Sequence, residues 1–459
     1  MVFALERRSQ QSRIFRAHEL CDIVQCMNLY SLLQARPRPV RVGLIGSGKF
    51  GSMFLNQVPT TPGLEVSVIA DLSPVRAKAA MAHVGWSDDQ ISAVRLLDNG
   101  SDLAAHPDVD VVVDATGSPA AGILHARTAI RNGKHVVMVN VEADVLAGPL
   151  LAEEARAAGV VYSMAYGDQP ALTAELVDWA RACGFPVIAA GKGTRYLDGF
   201  HQSTPETVWH NIQMDPDIAA KDGLNPQMFN SFVDGTKSAI EMAAIANACD
   251  LTAPKAGLSF PPCGVDDLAH VLRPRNEGGM LEGKGMVETI ASEERDGRPV
   301  FRDLRYGVYV VIEGPNDYAQ LCFRQYGVTT DSTGKYTALF RPFHLIGLEL
   351  NVSILNAALR GEATGSAQGF NADVMATAKR DLSAGETLDG EGGFCVYGKI
   401  APANLSLSRR ALPLGLAHGV KLKNAVAQGQ TVGWDDVEID PADPAVQTRR
   451  AMEQRFGKQ

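Results

Sequence analysis

The run Val40-Arg41-Val42-Gly43-Leu44-Ile45 leads directly into Gly46-Ser47-Gly48-Lys49-Phe50-Gly51, and this strand-to-glycine-loop transition constrains the fold more than any other stretch. Each glycine of a G-x-G-x-x-G loop has a mechanical task. Gly46 permits the tight turn, Gly48 lets the backbone approach a pyrophosphate, and Gly51 lets the following helix pack close to the strand. That helix offers free N–H groups to phosphate, and Ser47, Lys49 and Phe50 complete the candidate cradle. The context agrees: an amphipathic stretch at 53–58 follows, and a second apolar run, 64–70, ends at Asp71. An acid about twenty residues beyond the loop is where such folds place the carboxylate for the adenosine ribose. Asp71 therefore favours NAD and repels a 2′-phosphate, whereas Ser73 and Arg76, close behind it, suit that phosphate. The cofactor is NAD or NADP, with the balance leaning to NAD.

A chain of 459 residues exceeds what one core ordinarily organises, so two or three domains are expected. The net charge of −9 argues against the basic stripe of a nucleic-acid binder. No window approaches the apolar length of a membrane span. Seven scattered cysteines without a C-x-x-C pair fit the reduced thiols of a cytoplasmic protein. Residues 1–36 form an arginine-rich extension. Its helical-looking run at 13–33 lacks the long apolar block and small-residue cleavage site of a secretory signal. A transit peptide, a true start at Met27 and a helix packed on the nucleotide domain remain as alternatives.

From residue 41 to about 165 strand and helix patterns alternate. The segments 109–114, 134–140 and 159–164 read as buried parallel strands, and 120–132 and 150–158 as the helices between them. This is the pattern of an α/β doubly wound parallel sheet, a Rossmann domain at 37–165, with its ligand at the strand C-termini. Thr116 and Gly117, then Asn140 and Glu142, then Asp168 fall at those strand ends. A second α/β region, 166–370, is read as the substrate and dimerisation domain. It holds a strand at 186–190 and a helix at about 236–248. Its segment 250–299, rich in Pro and Gly, reads as loops built over a site. Residues 371–440 change to short β-like pieces with many glycines, and 441–459 form a tail.

Lys237 and Glu241 lie four apart and so share one face of a helix. Their neighbours are apolar or small, and a charged pair in such surroundings needs partners or a function. Lys192, just past a strand, Arg341 and His344 in Arg341-Pro342-Phe343-His344, and Arg273 in a loop add cationic or protonatable groups that suit a phosphate or carboxylate. Asn140, Glu142 and Asp168 supply oxygens fit for substrate hydroxyls, for acid–base work or for a Mg²⁺-type cation. The residues alone do not choose among these.

Together these segments resemble the homoserine dehydrogenase superfamily: the glycine loop, Asp114-Ala115-Thr116-Gly117-Ser118-Pro119 and a helix opening on Asp234-Gly235. The fuller set is closer to one branch, the 1-deoxy-D-xylulose 5-phosphate reductoisomerase-like (DXR-like) proteins. It comprises Val139-Asn140-Val141-Glu142-Ala143-Asp144, Tyr166-Gly167-Asp168, Ala190-Gly191-Lys192-Gly193 and Arg341-Pro342-Phe343-His344. The C-terminal part, with Lys379-Arg380-Asp381 and Gly433-Trp434-Asp435-Asp436, resembles a SAF domain, a small β-clip module. Homoserine dehydrogenases carry an Asp and then a Lys where this chain has Lys237 and Glu241, so the charges are exchanged. A lysine there suits an anion or a hydroxyl-rich sugar better than an amino acid. The resemblance implies hydride transfer and, in the DXR-like branch, a preceding rearrangement of a sugar phosphate assisted by a divalent cation.

The expectation is thus an NAD(P)-dependent oxidoreductase acting on a polyhydroxylated, anionic small molecule and assembling as a homodimer or higher homo-oligomer. Lys192, Lys237 and His344 would polarise substrate oxygens, Glu241 and Glu142 would move protons, and Asp168, Arg341 and Arg273 would bind substrate. A simple hydroxy-acid or sugar-acid dehydrogenase is the alternative within this class. A non-catalytic NAD sensor with a carbohydrate-binding SAF module is the alternative outside it.

Overall fold

A computed structural model describes residues 28–457 apart from Asp222. Met27 and the greater part of the extension lie outside the described residues; the helix Leu29–Ala35 is the part described. The strands β1 (Val40–Ile45), β2 (Leu64–Ala70), β3 (Arg95–Leu97), β4 (Val111–Asp114), β5 (His135–Met138) and β6 (Tyr162–Met164) form one parallel sheet in the order β3-β2-β1-β4-β5-β6. This is the doubly wound order, in which the crevice opens where the chain reverses between β1 and β4. β4 is buried along its whole length, as a strand covered on both faces by helices must be. Four helices frame the crevice: α1 (Lys49–Gln57), α2 (Pro119–Arg131), α3 (Val141–Ala157) and α4 (Gln169–Ala182).

The second sheet has the order β10-β9-β7-β8, built from β7 (Val187–Thr194), β8 (Met286–Ala291), β9 (Val308–Glu313) and β10 (Tyr336–Arg341). Its period-2 alternation sorts residues between two cores. Ala190, Val287, Val310 and Ile312 pack with the helix α6 described below, whereas Ala189, Met286, Ile290 and Tyr309 pack with Cys263, Leu268, Leu272 and Leu281. The Pro- and Gly-rich segment 250–299 therefore covers the far face of this sheet. That corrects its expected place over the site: its apolar residues fill a core.

α5 (Pro226–Val233) leads through Asp234 and Gly235 into α6 (Thr236–Cys249), which is buried all round except at Lys237 and Ala248. A helix that is apolar on every side belongs in the interior. The C-terminal unit pairs β11 (Ala372–Ala378) with β13 (Val396–Pro402) and groups β12 (Thr387–Asp389), β14 (His418–Leu422) and β15 (Val437–Glu438) in a second small sheet. The expected tail contains a helix, α7 (Pro444–Phe456). It is strapped to the rest by Arg449, whose guanidinium meets Asp373 at 2.6 Å with both side chains 1% exposed, and by Arg127, which donates to Thr448 Oγ1 at 2.8 Å. Among the described residues no helix is long and apolar enough to cross a membrane, and the five described cysteines are unpaired.

Candidate active site

The glycine loop has the geometry its spacing demands. Gly46 holds φ +91°, and a Cβ on it would lie 2.8 Å from the Ala115 carbonyl oxygen. A Cβ on Gly51 would lie 2.4 Å from the Gly46 carbonyl oxygen, so a side chain there would push α1 off the strand. A Cβ on Gly48 would meet nothing within 4 Å. α1 starts at Gly48 with no side-chain cap and no acid in its first turn, which leaves its first N–H groups open to phosphate oxygens. This bare helix end with an open glycine before it fits a dinucleotide pyrophosphate, with Gly48, Lys49 and Phe50 on the cavity wall. Thr116 and Gly117 lie opposite on the same wall. Asn140 does too, although its amide is committed: it caps α3 through the Ala143 N–H and donates to Ser118 O at 2.9 Å.

Asp71 departs from its expected role. One oxygen accepts from Ser47 N (3.0 Å) and Ser47 Oγ (2.6 Å), and the other from Ser73 N and the Arg76 guanidinium (2.6 Å). These donors outweigh the cost of burial and hold the carboxyl below its usual range. The carboxylate thus ties the glycine loop to the end of β2 and offers no free oxygen to a ribose, and Ser47 turns inward with it.

A cavity of about 1030 Å³ runs from the glycine loop past the ends of β4 and β5, across the start of α6, to the C-terminal unit. Glu142, Asp168, Lys237, Glu241 and His344 all line it. Lys237 and Glu241 do not pair with each other. Lys237 Nζ donates to Glu142 at 2.6 Å, while Glu241 binds Lys192 in a contact with side chains 5% and 7% exposed. Lys192 also donates to Gln169 Oε1 at 2.9 Å, and it reaches the cavity only through Glu241. His344 Nδ1 lies 2.7 Å from the Tyr306 carbonyl, so Nδ1 carries the proton and Nε2 is left to accept.

Two predicted arginines are not brought to the cavity. Arg273 pairs with the buried Asp331 on the far side of the second sheet, where it fastens a loop. Arg341 stands behind the wall, paired with Glu349 and donating to Tyr166 Oη at 3.2 Å. The anion-binding expectation therefore loses these two arginines, and Lys192 and Lys237 are already matched by carboxylates. Among the described residues no three His, Cys, Asp or Glu side chains converge as a metal-holding set.

Burial alone would lower Lys237, but the carboxylates around it, Glu142 foremost and then Glu241, outweigh it and hold the ammonium charged. Asp168 caps α4 with one oxygen on Gln169 N at 2.9 Å, and its other oxygen is buried with no protein partner. Burial, reinforced by Glu241, pushes it up to about 6. Glu391, which the sequence reading passed over, also lines the cavity; burial and Glu142 push it up to about 8. Its only local signal is a carboxylate set inside the glycine run Gly390-Glu391-Gly392-Gly393. The carboxyls poised near neutrality are thus Asp168 and Glu391. Glu142 and Glu241, the expected proton carriers, hold lysines instead.

Residues 42–164 match the family model of the homoserine dehydrogenase NAD binding domain, and residues 167–350 that of the oxidoreductase DRL catalytic domain. Inositol 2-dehydrogenase of Acidothermus cellulolyticus is 34% identical over 86 residues, 18% of this chain and 23% of that protein. 1-Deoxy-D-xylulose 5-phosphate reductoisomerase of Stutzerimonas stutzeri is 36% identical over 147 residues, 27% of this chain and 37% of that protein. The chain thus spans 23% and 37% of the length of these two relatives. Among solved structures, the WlbA dehydrogenase from Bordetella pertussis in complex with NADH and UDP-GlcNAcA overlaps 34% of this chain and 48% of its own, with 24% identity and a TM-score of 0.27. An oxidoreductase from Klebsiella pneumoniae overlaps 71% and 86%, with 17% identity and a TM-score of 0.34. Overlaps at such TM-scores carry no weight for the chemistry. Residues 42–164 are thus similar to the homoserine dehydrogenase NAD binding domain, and residues 167–350 to the oxidoreductase DRL catalytic domain.

Proposed function

We propose that this chain is an NAD(P)-dependent oxidoreductase that interconverts an alcohol and a carbonyl on a polyhydroxylated small molecule. The observation that carries the reading is the set of polar groups at the crevice: Lys237, held by Glu142 at 2.6 Å, shares the cavity wall with Asp168, whose buried second oxygen has no protein partner. A bound nicotinamide accepts or supplies hydride at the reacting carbon. The residues of this chain do the rest. Gly48, Lys49 and Phe50 hold the pyrophosphate at the start of α1. Lys237 donates an N–H to the reacting oxygen and stabilises negative charge as it develops there. Glu142 fixes that ammonium in place, and the Glu241–Lys192 pair supports it from the next turn of α6. Asp168 accepts from a second hydroxyl, and His344 Nε2 is placed to accept from another.

A hydroxyl-rich substrate is favoured over a phosphorylated one, because the charged groups of this cluster are mostly carboxylates and each lysine is already paired. The reductoisomerase reading draws support from the local matches to 1-deoxy-D-xylulose 5-phosphate reductoisomerases. Cofactor oxidation with that sugar phosphate, with and without Mg²⁺, separates rearrangement from simple dehydrogenation. The test of the proposal itself is a panel of polyols and sugar acids, myo-inositol among them, assayed with NAD⁺ and NADP⁺. Lys237→Met should reduce turnover on any active compound by about 10²–10⁴-fold with nucleotide affinity retained. Near-wild-type turnover in that variant would sink the role given to Lys237.

A further inference from the structure

One wall of the cavity comes from neither matched domain. Between β12 and β13 the chain runs Asp389-Gly390-Glu391-Gly392-Gly393 and lies against α5. Its backbone is pinned at four points. Gln227 Nε2 donates to the carbonyls of Asp389 and Glu391, at 2.9 Å each. Asn230 Nδ2 donates to Gly392 O at 2.8 Å, and the buried Lys379 ammonium to Gly393 O at 2.6 Å. Gly392 has φ +67°, and a Cβ on it would lie 2.0 Å from the Gln227 carbonyl oxygen. Only glycine lets the loop seat this closely. The loop so seated places Glu391, half-buried, on the cavity wall.

The groups facing Glu391 come from each element packed around it. They are Glu142 on α3, Ser231 on α5, Lys237 on α6, and Asp234 in the turn between α5 and α6. Asp234 is neutralised by Lys379 at 2.8 Å, and Glu142 is bound to Lys237. Lys237, the cation that faces Glu391, is engaged by Glu142, and the Ser231 hydroxyl donates to the Met228 carbonyl at 2.8 Å, so Glu391 has no ion pair of its own. A carboxyl withdrawn from water without an ion pair costs free energy unless it stays neutral, which is the direction that burial and Glu142 push it.

We infer that Glu391 is a proton-transfer residue of the site, a carboxyl supplied by the C-terminal unit that exchanges a proton with the substrate hydroxyl held by Lys237. The inference rests on the oxidoreductase reading above. In oxidation the C–H bond breaks and its electron pair leaves with the hydride to the oxidised nicotinamide. The O–H bond breaks, its proton passes to the Glu391 carboxylate, and the C–O bond becomes C=O. In reduction neutral Glu391 returns that proton to the oxygen. Lys237 does not fill this role, because the surrounding carboxylates hold it charged. Asp168 is anchored to the start of α4 on the Glu241 side of the cavity, with one carboxylate oxygen committed to Gln169 N at 2.9 Å.

The test uses the full chain with Glu391→Gln, Glu391→Asp and Asp168→Asn. Infrared titration of the nucleotide-bound protein should show a neutral carboxyl that ionises near pH 8 in the wild type and is absent from Glu391→Gln. Oxidation of an active polyol should slow about 10²–10⁴-fold in Glu391→Gln, with loss of the limb over which the rate rises with pH as Glu391 ionises, and unchanged nucleotide affinity. Glu391→Asp, which keeps the acid, should retain that limb at reduced rate. The inference is overturned if the neutral carboxyl is missing from the wild type. It is equally overturned if Glu391→Gln keeps its rate and pH profile, or if the limb disappears in Asp168→Asn instead. Nucleotide binding with no turnover of any polyol by the wild type strikes the oxidoreductase reading first and takes the role of Glu391 with it.

Discussion

Replacing Lys192 by Met tests the electrostatic arrangement behind the cavity. Lys192 and Glu241 are 7% and 5% exposed, so almost no water reaches either charge. Methionine keeps the buried stem of the lysine in place, and little apolar burial is lost. What the variant lacks is the ammonium, and Glu241 is then a buried carboxylate with its cation gone. Breaking one side of such a pair costs about 3–5 kcal/mol, because the remaining charge is stranded without solvent. Glu241 sits on a buried helix, and its one opening is the cavity that it lines. Glu241→Gln alone should cost a comparable amount by stranding Lys192, which would keep only Gln169. The double variant carries no stranded charge and should cost less than either single variant, so that the coupling energy exceeds about 3 kcal/mol, above the usual range for residues in contact. Urea unfolding of the four proteins at neutral pH measures the cycle. At about pH 5 the deficit of Lys192→Met should shrink, since a stranded carboxyl can take up a proton and become neutral. Additive single losses, or a Lys192→Met cost below about 1 kcal/mol, would refute the reasoning, because the pair would then behave as a solvated surface pair.

Two further outcomes are expected. Gly51→Ala places a Cβ 2.4 Å from the Gly46 carbonyl oxygen and should cost about 1–3 kcal/mol in stability as α1 shifts. Gly48→Ala meets nothing and should melt like the wild type while binding NAD(P)H more weakly; nicotinamide fluorescence titration and thermal melts separate the two. Asp144 accepts from Tyr162 Oη at 3.0 Å but has one buried oxygen without a partner, and burial pushes it up to about 6. A carboxyl raised in the folded state binds more protons there than in the unfolded chain. Its contribution is therefore greatest below the unfolded value and is lost as pH rises through about 6. Asp144→Asn should flatten that dependence and gain up to about 3 kcal/mol at neutral pH, read from unfolding curves across the interval.

The doubly wound sheet was legible because its signals are local. Alternation of apolar runs marks β1, β2 and β4, and glycine spacing marks the turn from β1 into α1. The positions of Glu142 and Asp168 near the strand C-termini follow from the same periodicity. The charge pairing was not legible. Spacing of four on a helix predicts that Lys237 and Glu241 meet, since that rule describes an isolated helix surface. In the folded protein α6 is enclosed, and each charge is met by a nearer partner from another element. Those contacts join residues 95 apart for Lys237 and Glu142 and 49 apart for Lys192 and Glu241. Asp71 misleads for a related reason. Its position at the end of β2 is set by the strand, but its carboxylate is claimed by Ser47 and Arg76 once the loop closes. Glu391 lies further still, on a loop whose register against α5 exists only after the C-terminal unit has docked. The sequence by itself determined the sheet, the nucleotide cradle and the edge on which a site could form. The tertiary structure decided which carboxyls are paired and which stay neutral, because burial and partner distance are properties of the packed whole.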